Sequence, residues 1–101
     1  GFLAALIGHA VALRGLGRYK QAEKSYQQIL GLDRTNPETL FNLGLLYMNH
    51  REKPAWACEA FQRFLRSGRG TPEQHKRARG YMEDIRLGHP DACPSSGGKT
   101  E

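Results

Sequence analysis

Apolar residues along this chain recur every three or four positions, and no window alternates in the manner of a half-buried strand. That spacing places side chains on one face of an α-helix, so the expected fold class is all-α. Leu6, Ala10 and Leu13 mark a first helix that ends near Gly15 and Gly17, residues suited to a helix stop. Tyr19, Ala22, Tyr26, Ile29 and Leu30 mark a second, running to about Leu32. Asn36 can cap a third with its side-chain oxygen, and Pro37 fits the first helical position because an N–H there would have no partner. That helix reaches about His50. A fourth starts at about Pro54, turns Ala57, Phe61, Phe64 and Leu65 inward, and stops at Ser67-Gly68-Arg69-Gly70. Thr71, Pro72 and Glu73 open a fifth, with Gln74 placed for a capping box, and Ala78, Met82 and Ile85 carry its stripe to about Leu87. Connections this short imply antiparallel neighbours.

The third helix is more apolar than one stripe requires. Leu40, Leu43, Gly44 and Tyr47 fall on one side, while Phe41, Leu45 and Met48 form a second stripe, displaced by roughly a quarter turn. The first helix repeats the arrangement, with Leu3, Ile7 and Val11 beside Leu6, Ala10 and Leu13.

This duplication extends further. Leu6, Ala10 and Leu13 recur 34 residues on as Leu40, Gly44 and Tyr47. Ala22, Tyr26, Ile29 and Leu30 recur 35 on as Ala57, Phe61, Phe64 and Leu65, and Pro37 as Pro72, so one residue is inserted between Arg51 and Ala57. A fixed period of this length is the signature of stacked helical repeats. Leu43-Gly44 with Tyr47, the run GRYKQA from Gly17 to Ala22, Tyr26 with Ile29, and the turn LDRTNPE resemble the tetratricopeptide repeat.

The resemblance implies a right-handed α-solenoid of antiparallel helix pairs, about two and a half repeats in five helices. It assigns residues 1–87 to the repeat domain, as repeats 3–36 and 37–71 and a capping helix 72–87, and leaves 88–101 as a flexible tail rich in Gly, Pro and Ser. Gly44 with Ala57, and Ala10 with Ala22, match the small residues that let the helices of a hairpin approach. Departures are His9 where the family has Leu, Arg34 where it has Pro, and Arg79 at the small-residue site of the fifth helix. A long Arg there would block a following helix, which suits a polar cap on a solenoid.

In the resembled family the first helix of each unit lines a concave groove that receives a peptide or a partner's helix. Carried over by spacing, Ile7, Val11 and Arg14 line it from the first unit, and Phe41, Asn42, Leu45, Met48 and Asn49 from the second. Glu73, Lys76 and Arg77 stand at one end. Leu3, Val11 and Leu45 have a second reading, as packing between units or against a repeat before Gly1. One branch of the family grips an acidic C-terminal carboxylate with Lys, Asn and Arg. Asn42 and Arg77 match that clamp, but Ile7, Val11 and Glu73 occupy the other sites. An apolar or amphipathic segment is therefore the expected ligand.

Composition changes little in this picture. At 101 residues the chain holds one domain, and its 39% hydrophobic and 25% charged content is ordinary for a globular protein. Its first residue is Gly, so the true start is expected to lie upstream. The apolar start from Gly1 to Leu13 is shorter than a membrane span and contains His9, so no transmembrane segment is expected. The compartment stays open, with a cytoplasmic location favoured. The net charge of +5 gathers most densely in Arg63, Arg66, Arg69, Lys76, Arg77 and Arg79, where a solvated surface is the expected reading. Phe61 and Phe64 fall on the core side there, which leaves no stacking platform for nucleic acid.

No catalytic set emerges. His9, His50, His75 and His89 are separated, and His9 reads as a packed side chain on an apolar stripe. Gly97-Gly98-Lys99-Thr100 lacks both the glycine five residues earlier and the strand of a phosphate loop. Cys58 reads as a buried small hydrophobe and Cys93 as an exposed thiol, forming neither a disulfide framework nor a metal site. No metal or cofactor is expected. The expected function is a non-catalytic protein-interaction scaffold, with self-association through Leu3 and Ile7 as a further possibility. Its alternatives are nucleic-acid binding through the basic helices and an assembly or regulatory segment of a longer enzyme.

Overall fold

The computed structural model describes residues 1–93, which form five helices and no strand: α1 Phe2–Gly15, α2 Tyr19–Leu32, α3 Pro37–Asn49, α4 Pro54–Ser67 and α5 Pro72–Gly88. α1 pairs with α2, α3 with α4, and α5 lies against both α4 and α3. The stack measures 42 × 26 × 23 Å.

Local chemistry explains the boundaries. The Asn36 side-chain oxygen accepts from the Thr39 N–H at 3.0 Å, with Pro37 beside it in the first turn of α3. At α5 the Thr71 hydroxyl accepts from the Gln74 N–H at 3.1 Å, and the Gln74 carboxamide accepts from the Thr71 N–H at 3.0 Å, completing the capping box. The two hairpin turns solve one problem differently. Between α1 and α2 the chain reverses through Gly17 at φ +80°, whereas between α3 and α4 Glu52 takes φ +50°. The inserted residue is absorbed in that second turn, where the Lys53 N–H reaches Tyr47 O at 3.0 Å, and α4 runs unbroken from Pro54.

Tyr26, Ile29, Leu40, Phe61 and Phe64 are fully buried and form the centre of the core. Covering side chains of this size contributes about 2–3 kcal/mol each. Leu6, Leu13, Tyr19 and Leu65 pack against this core from partly open positions. At Gly44 an added Cβ would lie 2.5 Å from two carbons of the Phe61 ring, so the missing side chain makes room for Phe61 rather than for Ala57. His9 departs from expectation: it is exposed, at the edge of a cleft that it shares with Gln21, Lys24 and Ser25 of α2.

The two units are tied across their turns. The Arg69 guanidinium donates to both carboxylate oxygens of Asp33 at 3.0 and 3.3 Å and to the Thr35 hydroxyl at 2.9 Å. Arg63 donates to Arg34 O at 3.0 Å. The Arg69 hydrogen bond, ahead of other causes, holds the Asp33 carboxyl below its ordinary pKa. A second tie lies between α2 and α3: the buried Tyr47 hydroxyl donates to Glu23 at 2.9 Å, and Arg51 pairs with the same carboxylate at 3.2 Å. Burial, reinforced by Glu23, pushes the Tyr47 phenol well above its usual range.

The cysteines overturn their expectation. Cys93 is buried, not exposed, and it forms a disulfide with Cys58, the two Cα atoms lying 5.5 Å apart. The chain doubles back after α5 through a turn closed by the Ala92 N–H donating to His89 O at 2.9 Å, which delivers Cys93 to α4. Gly88 belongs to α5 and residues 89–93 are folded against the stack, so the expected tail does not begin at 88. Its remainder, 94–101, lies outside the described residues, as does Gly97-Gly98-Lys99-Thr100.

Candidate peptide-binding face

α1 and α3, the first helices of the two units, carry the candidate face. Ile7 and Val11 on α1, and Leu45 and Met48 on α3, are all half-buried. Ile7, Leu45 and Met48 rest on the core with their outer surfaces open. The structure joins the two helices through the polar candidates: the Arg14 guanidinium donates to the Asn42 carboxamide oxygen at 3.2 Å. Asn49 is exposed at the end of α3.

Phe41 is different. It is only 7% exposed, and its ring meets Phe61 and Phe64 edge-on at 5.9 and 5.5 Å. It belongs to the core beneath the face. Its remaining surface is covered by Arg77, whose guanidinium stands 5.7 Å from the ring centre and donates to the Tyr81 hydroxyl at 3.1 Å. Arg77 is therefore placed over an aromatic pair, where the ring quadrupoles favour a cation. Tyr81, which the sequence stripes did not single out, completes this corner by stacking on Phe61 at 5.5 Å. Its signal was the four-residue spacing from Arg77. Glu73 and Lys76 are exposed on α5.

Met48 also opens into a cleft of about 420 Å³, walled by Pro54 and by Ile85, Gly88 and His89 from the end of α5. Glu52 and Asp84 lie at this cleft, so it is an apolar slot with acidic neighbours.

A second cleft, of about 250 Å³, opens on the opposite side of α3 between α2 and α4. Leu30, Leu40 and Leu43 line it, with Tyr47 and Trp56. Trp56 is 47% exposed, meets Tyr47 edge-on at 5.4 Å, and has Lys53 Nζ 4.3 Å from its ring centre. Sequence reasoning passed over this residue, because it falls off the stripe of Ala57, Phe61 and Phe64.

The basic run is partly engaged within the fold. Arg63 and Arg69 tie the two units together, and Arg77 sits on Tyr81. Phe61 and Phe64 are fully buried. Among the described residues no group of three or more His, Cys, Asp or Glu could hold a metal ion, and no helix is long and apolar enough to cross a membrane.

Comparison with known families gives a match between residues 11–50 and the TPR repeat. That interval takes in the end of α1 from Val11, all of α2 and all of α3, and so most of the face just described, with Ile7 outside it. Over these residues, less than half of its length, the chain is similar to the TPR repeat. No curated protein and no solved structure matches it. The five helices form the all-α repeat solenoid of this family, and TPR repeats generally mediate protein–protein interaction as scaffolds that are typically non-catalytic.

Proposed function

We propose that this chain is a non-catalytic scaffold whose concave face receives an apolar or amphipathic segment of a partner protein. The observation that carries the reading is the half-buried row Ile7, Val11, Leu45 and Met48 on the first helices of the two units. Completing the burial of such side chains is favourable at roughly 25 cal/mol per Å² of apolar surface, so a row left partly open is a reserve of binding free energy. Met48 is unbranched and adapts to the shape of its partner. The Arg14–Asn42 pair sets donors beside the row for the main-chain carbonyls of an extended segment or the polar face of a helix. Arg77 and Lys76 favour acidic residues at one end of the ligand.

Phe41 supports this face from below, and its truncation would disturb the fold together with the site. The test therefore uses Leu45→Ser with Met48→Ser. Peptides selected on the full chain from a displayed library are titrated calorimetrically against wild type, this double variant and Trp56→Ala. The double variant should bind at least tenfold more weakly, and Trp56→Ala should bind as wild type does. Equal affinity for the double variant, with its helicity intact, removes the groove reading.

A further inference from the structure

The last described segment, residues 89–93, is a turn that falls in register with the opening of α4. His89-Pro90-Asp91-Ala92-Cys93 resembles Lys53-Pro54-Ala55-Trp56-Ala57-Cys58, the opening of α4, with one residue fewer between the proline and the alanine. Ala92 follows Ala57 by 35 positions, as Ala57 follows Ala22, and Cys93 follows Cys58 by the same 35. The register thus announces the second helix of a third unit. The chain forms a turn there, closed by the Ala92 N–H to His89 O and anchored by Arg86 Nε donating to Cys93 O at 3.4 Å. Cys93 sits in the core with Cys58, Met82 and Ile85, and Ala92 packs beside it. These are small side chains. The surface they cover cannot by itself offset the entropy of ordering five residues, so the position of the turn depends on the covalent link.

We infer that Cys58–Cys93 is a structural disulfide that clasps the turn at 89–93 onto α4, and that the chain accordingly matures in an oxidising compartment. Its formation joins the two sulfurs and removes one hydrogen from each thiol. The two protons and the two electrons pass to the disulfide of a thiol–disulfide oxidoreductase, which leaves as its dithiol. Each cysteine is 1% exposed, so a reductant reaches the bond only when the turn at 89–93 opens. That shielding marks a clasp rather than an exchanging pair. A cytosol keeps thiols reduced, and the bond therefore argues against the cytoplasmic location that the sequence favoured.

The full chain is produced by export to an oxidising compartment and alkylated with maleimide in denaturant, with and without prior reduction. No adduct before reduction and two adducts after it are expected; two adducts without reduction overturn the disulfide. The clasp itself is read by hydrogen exchange from Ile85 to Cys93 in the oxidised chain, in the same chain held reduced, and in the Cys58→Ala/Cys93→Ala variant. Exchange there should quicken at least a hundredfold without the bond, while α2 and α3 change far less. Should the double variant fail to fold, the reduced wild type gives the same comparison. Equal exchange in the oxidised and reduced chains overturns the clasp.

Discussion

Replacing Gly44 by Ala asks whether the contact between α3 and α4 is as tight as the structure makes it. The new Cβ would meet Cε1 and Cζ of Phe61 at 2.5 Å and Cδ1 at 2.8 Å. Carbon atoms rest at about 3.5–4.0 Å, so the ring must retreat by roughly 1 Å. It has nowhere to go: Phe61 is fully buried, with Phe41 edge-on at 5.9 Å and Tyr81 stacked at 5.5 Å. Overpacking of this kind costs about 1–3 kcal/mol, while exchanging Gly for Ala inside a helix returns about 1 kcal/mol. The net expectation is a loss of about 1 kcal/mol. Gly80→Ala supplies the control, because Gly80 lies within α5 and a Cβ there meets no atom within 4 Å. It should gain about 1 kcal/mol. At about 4–8 °C per kcal/mol for a domain of this size, the two variants should melt roughly 10 °C or more apart, on opposite sides of wild type. Thermal unfolding followed by circular dichroism measures this. Phe61→Leu added to Gly44→Ala should recover part of the loss, because the two changes act on one contact. If Gly44→Ala melts as high as Gly80→Ala, the close approach is refuted.

Two further substitutions test the turns. Glu52 holds φ +50° where the other hairpin uses glycine, so Glu52→Gly should raise stability by about 0.5–1 kcal/mol in urea unfolding, and a loss would show that its side chain matters more than its backbone. Asp33 has a folded-state pKa lowered by Arg69, so its contribution is present above the unfolded value of 3.8 and fades as pH falls through the lowered folded one. Arg69→Gln should flatten the acid limb of melting temperature against pH, and parallel curves for the two proteins would remove the tie as a stabilising contact.

The helices and their ends were legible because their causes are local. A cap, a proline in the first turn and a 3.6-residue stripe act within a few residues, and Asn36, Thr71 and Gln74 bond as their positions imply. The repeat register added the pairing of helices. What it could not supply was the neighbour that each second-stripe residue meets. Phe41 and Leu45 share a stripe, yet Phe41 is covered by α4 and α5 while Leu45 is half open. That difference arises from the volumes of Phe61, Phe64 and Tyr81, which lie 20 or more residues away. The segment 89–93 misled by composition: Pro90 and Asp91, read together with the glycines and serines around them in sequence, suggested a chain without structure, and only its return to Cys58 gives it a place. The alanine–cysteine pair in register with Ala57-Cys58 was the available sign. His9 was misjudged for the reverse reason. An apolar stripe needs a covering partner, and where α2 meets α1 it buries Ala10 completely while His9 stays open at the edge of the cleft between them.

Trp56 has a consequence for how this molecule can be observed. It is the sole tryptophan of the chain, it stands between the edge of Tyr47 and the ammonium of Lys53, and it borders the cleft that separates α2 from α4. Its emission therefore reports one location, on the side of α3 away from the face carrying Leu45 and Met48. A ligand that seats on that face without touching the indole, and yet shifts its wavelength, would reveal that filling one side of the solenoid changes the spacing of the helices on the other.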